Sequence, residues 1–266
     1  MTANAHNLLA EIERDVLNED VSLASILRKC IVLASRADAG ELRAWATKEL
    51  RGYEGNDTVP DYREVGAPLA VDAIAGLNRI TGQHISPRSL PDFVQDAISD
   101  KYTFYVGIGE IEATIANADN THVHLSLPRA TDIVAVMNSE ANVPHQRVTG
   151  VYWVISVAAL RAILDHVRTT LTEMVAELHA IAPARSGSPE PDAKQLDKAI
   201  SVAVEGSGHT INVLAPQDSS QANVGTPVAE PAPDSPFWTR SRKIGAFIVG
   251  AASVLAGAAT VLTYLK

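Results

Sequence analysis

The sequence predicts a helix-dominated α+β cytoplasmic domain over residues 1–182, a disordered linker over 183–237 and one C-terminal transmembrane helix over 244–265. Three observations predict this. Apolar residues recur at helical spacing near both ends of the first 182 positions, with strand-like runs between them. Proline, serine and glycine then concentrate in the stretch that follows. An uncharged run comes last.

Helical spacing begins at residues 5–18, where Leu8, Leu9, Ile12 and Val16 share a side and Glu11, Glu13 and Asp15 lie outside it. Ser22 is placed to cap a second helix running to about Arg36, with Leu23, Ile26, Leu27, Cys30, Ile31 and Leu33 along it. A third is expected from about Ala39 to Tyr53, with Leu42, Trp45, Ala46 and Leu50 facing inward. The stretch Gly55–Pro68 reads as a loop, and Ser86-Pro87 and Pro91 open a short helix near Asp92–Ile98, with proline at an early position where its missing N–H is harmless. Tyr102–Ile108 and Thr121–Leu127 read as strands, and Val148–Val157 as a third strand or the entry to a helix. Ala158–Ile181 is a long amphipathic helix with Leu160, Ile163, Leu164, Val167, Leu171, Met174, Val175 and Leu178 on one side.

From Pro183 to Pro236 lie eight of the 14 prolines, among Ser, Gly, Asp and Glu. Such a segment buries too little apolar area to offset its ordering entropy. One island interrupts it. Gln195–Val204 reads as a short helix or a strand, and Thr210–Val213 and Gln221–Val224 as two short strands, a β island over 201–225.

Ile244–Leu265 has 22 residues without charge or proline, and as a helix spans about 33 Å, enough for a hydrocarbon core of about 30 Å. Arg240, Arg242 and Lys243 precede the run and only Lys266 follows, which orients its N-terminal side to the cytoplasm. Ala246, Gly250, Ser253, Gly257 and Thr260 fall on one face, where small residues let helix backbones approach in lipid. Two readings stay open: a self-association face, or a weakly hydrophobic anchor. The partners expected are therefore the lipid bilayer and a second copy of the chain. The N-terminal segment has neither the basic nor the apolar region of a signal peptide, so the bulk of the chain is expected in the cytoplasm, on the inner membrane of a bacterium.

Composition excludes some functions. Lys and Arg number 22 against 31 Asp and Glu, a net charge of −9, so broad nucleic-acid binding is not expected. The lone cysteine, Cys30, lies in an apolar run and reads as a small core hydrophobe rather than a nucleophile. His122 and His124 share a strand face at metal-ligand spacing, but no second pair accompanies them. Gly107-Ile108-Gly109 lacks the third glycine of a dinucleotide loop. Asp61 and Arg63 read as a surface ion pair or a turn before a site. No cofactor, metal or catalytic constellation is expected.

Leu27-Arg28-Lys29-Cys30-Ile31-Val32-Leu33-Ala34 is followed by Glu41-Leu42, Trp45, Glu49-Leu50, Gly52-Tyr53 and Pro60-Asp61-Tyr62-Arg63. Together these resemble the AbiTii domain family of bacterial abortive-infection proteins, and the helix from Ile163-Leu164-Asp165-His166 onward is similar to that family's closing segment. The resemblance covers roughly residues 5–182. It implies phage defence, in which an infected cell is arrested or killed before phage mature, and it supplies no catalytic residues. The function expected is a membrane-anchored sensor or effector module acting by oligomerisation at the inner membrane, with a neighbouring defence-system protein as a further partner. A membrane-tethered nuclease or nucleotide-acting enzyme, with Asp61, Arg63, His122 and Arg168 as its candidates, is the alternative. A non-toxic membrane adaptor is another.

Overall fold

The computed structural model describes residues 8–118, 121–141, 145–181 and 190–206. These residues form a helix-rich α+β fold that divides into two compact units. The helical unit carries α1 (Leu8–Val16), α2 (Leu23–Ala37), α3 (Gly40–Arg51), a 3₁₀ turn at Asp61–Arg63, α5 (Ile108–Ala116), α7 (Val157–Ile181) and α8 (Ala193–Gly206). The sheet unit carries β2 (Leu69–Ala75), β3 (Asn78–Ile85), α4 (Asp92–Gln95), β5 (His122–Ser126), α6 (Ala130–Glu140) and β6 (Gln146–Ser156). Between them in sequence, β1 (Glu64–Gly66) pairs with β4 (Lys101–Thr103).

In the helical unit the periodic apolar residues do what their spacing requires. Ile12, Leu27, Cys30, Leu33, Leu42, Ile108, Val167, Leu171, Met174 and Leu196 are all completely buried. Each large aliphatic side chain among them contributes roughly 1.5–3 kcal/mol by leaving water. Burial also pushes the Cys30 thiol up to about 12, so it stays protonated and inert. Helix starts are closed by side chains from near and far. Ser22 accepts from the Ser25 N–H at 3.2 Å, as its position before α2 predicts. Glu112 of α5 accepts from the Leu23 N–H at 2.6 Å, and Asp197 of α8 accepts from Glu41 and Leu42 N–H at 3.0 and 3.1 Å. These carboxylates satisfy orphan donors and sit where the helix dipole favours negative charge.

Gln195–Val204, for which the sequence leaves helix and strand open, lies within helix α8. Leu196, Ala199, Ile200 and Ala203 are buried, and α8 packs on α7 and α3. Arg168 donates to the carbonyls of Val16, Asn18 and Val21 at 3.0, 3.1 and 2.9 Å, tying the α1–α2 turn to α7.

The sheet unit is built on a four-stranded antiparallel sheet in the order β3-β2-β6-β5. Leu69, Val71 and Ala73 of β2 and Val148, Val151, Trp153 and Ile155 of β6 are buried. They share one side because strand residues alternate and a bulge in β6, where Asp72 pairs with Gly150 and Ala73 with Val148, keeps Val148 in step with Val151, Trp153 and Ile155. Asn138 of α6 donates to the Val148 carbonyl and accepts from its N–H, both at 2.8 Å, where among the described residues no strand lies beside the β6 edge.

Three expectations need correction. Tyr102–Ile108 is not one strand: β4 ends at Thr103, and Ile108 begins α5 with Gly107 as the residue before it. Its alternating apolar pattern mimics a strand, yet the Phe104 and Val106 carbonyls accept from Arg63. The Gly55–Pro68 loop contains the 3₁₀ turn and β1. The short helix near Asp92 ends at Gln95, and Pro91 precedes it; Pro87 instead opens a 3₁₀ turn capped by Ser86. The expectations for residues 207–266, including the two short strands of the island and the run 244–265, lie outside the described residues. Among the described residues no helix is long and apolar enough to cross a membrane.

Candidate functional site

A buried polar cluster in the helical unit is assembled by the end of α3. Gly52 has φ +97°, and a Cβ there would collide with the Tyr105 carbonyl oxygen, so only glycine fits. Gly107 faces the same constraint from the Leu50 carbonyl. The two glycines let the 104–107 backbone lie directly against the end of α3, where Gly52 bridges to Val106 and the Tyr53 N–H donates to the Tyr105 carbonyl at 2.8 Å. Pro60, with φ −64°, leads into the 3₁₀ turn Asp61–Arg63, which closes with the Arg63 N–H on the Pro60 carbonyl at 3.0 Å.

That turn aims Tyr62 and Arg63 at Glu49, one helical turn before Tyr53. Glu49 and Arg63 are both completely buried, and an Arg63 Nη2–Glu49 Oε2 contact of 2.6 Å joins them. Tyr62 donates its hydroxyl to Glu49 Oε1 at 2.6 Å, and Tyr53 donates to the same oxygen. Arg63 Nη1 donates to the Phe104 and Val106 carbonyls at 3.1 and 2.7 Å. Among the described residues Arg63 Nε has no acceptor, and the Tyr53 ring lies under the guanidinium at 4.8 Å. The Tyr62 ring stacks on His166 of α7 with centroids 4.0 Å apart.

Electrostatics follow from that packing. Burial, reinforced by the Glu49 carboxylate, pushes both tyrosine hydroxyls above their ordinary range, so they remain donors at neutral pH. Burial disfavours the charged guanidinium of Arg63, but Glu49, together with Tyr53 and Tyr62, more than offsets this and its pKa rises. Burial lowers His166, with Glu49, Glu173 and Asp165 opposing. Both Glu49 oxygens and both Arg63 terminal nitrogens are thus committed inside the protein. The arrangement suits pinning α3, the 3₁₀ turn and the 104–107 loop together.

A family model, AbiTii, matches residues 7–203. The chain belongs to the AbiTii family. The family suggests a role in abortive-infection phage defence. None of the curated proteins and none of the solved structures matches the chain. The AbiTii match runs past residue 182 into α8, the helix that caps α3.

The structure brings Tyr53, Tyr62 and Arg63 together, with Gly52 and Pro60 shaping their backbone. Trp45 is half-buried one turn before Glu49, and Asp61 is exposed. The turn expected at Asp61 and Arg63 is the 3₁₀ turn, while the surface ion pair expected as its alternative is corrected: Arg63 pairs with Glu49, and that pair is buried. Spacing alone hides this partner, because Glu49 lies 14 residues away on another element. Also missed are the Phe104 and Val106 carbonyls and His166, which no local pattern marks. In the sheet unit, His122 is exposed and His124 stacks on Tyr152 at 4.5 Å. Arg168 serves the α1–α2 turn. Arg240, Arg242, Lys243 and the small residues Ala246, Gly250, Ser253, Gly257 and Thr260 lie outside the described residues.

Proposed function

We propose that the chain is a membrane-anchored effector of abortive infection, in which the AbiTii domain supplies interaction or sensing and the C-terminal segment supplies the attachment. The observation that carries this reading is the uncharged run Ile244–Leu265 behind Arg240, Arg242 and Lys243. Activation clusters the anchors through Ala246, Gly250, Ser253, Gly257 and Thr260, and the cluster perturbs the inner membrane. A tethered enzyme has weaker support, since Arg63 and Arg168 spend their terminal donors on structural carbonyls and carboxylates. A non-toxic adaptor would share the anchor but leave the membrane intact.

Survival of infected cells and membrane potential, compared between the full chain and a truncation after Phe237, test the proposal. The effector reading expects protection and depolarisation from the full chain and neither from the truncation. A truncated chain that still protects would end the case for the anchor as part of the mechanism. Protection by the full chain without any change in potential would favour the adaptor.

A further inference from the structure

The side of the sheet opposite the core carries a cluster of polar side chains around the buried Ala70 and Val154. Strand alternation and the pairing register place Arg79 of β3, Ile74 of β2 and Arg147 of β6 in one row of that side. His84, Ala70, Tyr152 and Ser126 form another row, with His124 and His122 continuing along β5. Arg79, Arg147, His84 and His122 are exposed, while Tyr152 and His124 are half-buried.

Two features make this side chemically specific. Tyr152 and His124 stack with an interplanar angle of 25°, and Tyr152 is fixed by donating its hydroxyl to Asp72 Oδ1 at 2.7 Å. The rings are therefore held as a stacking step rather than as free rotors. Charge is the second feature. The four strands carry two arginines against one carboxylate, Asp72, in a chain of net charge −9. Asp72 is already engaged by Tyr152 and by the Gly82 N–H at 2.9 Å.

We infer that this face binds a short single-stranded nucleic acid, bases continuing the Tyr152–His124 stack and phosphates reaching Arg147 and Arg79. Aromatic or imidazole rings on an open sheet accept any base through its π-face, and arginines beside them track the backbone. The spacing sets the ligand's length. Ala70 pairs with Tyr152 and Ile74 with Arg147, so stack and arginines are four residues apart, roughly 13 Å at 3.3 Å per residue. That separation fits a strand of several nucleotides better than a mononucleotide. Two arginines neutralise few phosphates, which keeps the interaction local in an acidic protein. The site does not depend on the membrane anchor, and its failure would leave the anchor proposal standing.

The test is fluorescence anisotropy of the full-length protein with a labelled ten-nucleotide uridine or thymidine strand, against a duplex of equal length and a labelled ten-residue polyglutamate. Binding of at least one single strand, with duplex and polyglutamate at least about tenfold weaker, is expected. Arg79→Ala with Arg147→Ala should flatten the logarithmic salt dependence by about 1.4, since each single-strand phosphate contact contributes about 0.7. His124→Ala should weaken binding at least about fivefold and His124→Phe should restore it, as loss of one stacked base predicts. Thermal melts confirm that each variant is folded. No single-strand binding, equal binding of duplex or polyglutamate, or folded His124→Ala and arginine variants that bind like the wild type would each overturn the assignment.

Discussion

The two units use nearly the same side chains in opposite ways. In the helical unit a carboxylate, two tyrosines, an arginine and a histidine close on one another, with Glu49 and Arg63 sealed from solvent. In the sheet unit a carboxylate, a tyrosine, a histidine and two arginines share the face opposite the core, where Asp72 and the Tyr152 hydroxyl are consumed internally. Residue type alone does not distinguish a lock from a binding surface. What distinguishes them is how many donors and acceptors remain for a ligand after the fold has taken its own.

The sharpest way to break that contrast is to remove one half of the buried pair. Arg63→Met leaves the Glu49 carboxylate uncompensated in the core, which costs about 3–5 kcal/mol. For a domain of this size that lowers Tm by on the order of 10 °C in a calorimetric melt. A loss below about 1 kcal/mol would mean that the pair is not the pin it resembles.

Next in size is a test of where the helical unit ends. Leu196→Ala on α8 opens a cavity at a completely buried position and should cost about 2–5 kcal/mol in urea unfolding. A neutral result would detach α8 from the folded unit despite its caps on α3.

The smallest effect expected is on pH dependence. His166 has its pKa lowered from 6.5 by burial, so the unfolded chain takes up this proton first as pH falls. Its share of the stability is complete above pH 6.5 and is lost on acidification below it. His166→Phe, which keeps a ring against Tyr62, should make the decline below pH 6.5 shallower. An unchanged slope would show that this imidazole titrates alike in both states.

How much of this could be read beforehand depends on whether the signal is local. Helices α2, α3 and α7 were legible because their apolar spacing lies within each segment, as the Leu160–Leu178 stripe illustrates, and Ser22 adds a local cap to α2. The β2–β3 hairpin was not, because Ala70, Ala73 and Ala75 dilute the strand propensity of Val71 and Ile74. Helix α6 was overlooked, and α5 was masked by the alternation of Tyr102, Phe104 and Val106. Of the buried cluster, the Gly-Tyr and Pro-Asp-Tyr-Arg motifs stood out in the sequence. Their meeting point at Glu49 did not, since it depends on the 3₁₀ turn and on the loop that Gly52 and Gly107 admit.

The most direct test of the division between lock and function is phage protection by a chain in which Glu49→Met and Arg63→Met are combined. Replacing a buried ion pair by apolar side chains of similar volume is often neutral for stability. The double variant, shown folded by its melt, should therefore protect infected cells like the wild type. A double variant that folds with wild-type stability yet fails to protect would contradict this, and would move the Glu49–Arg63 pair from the fold into the chemistry of defence.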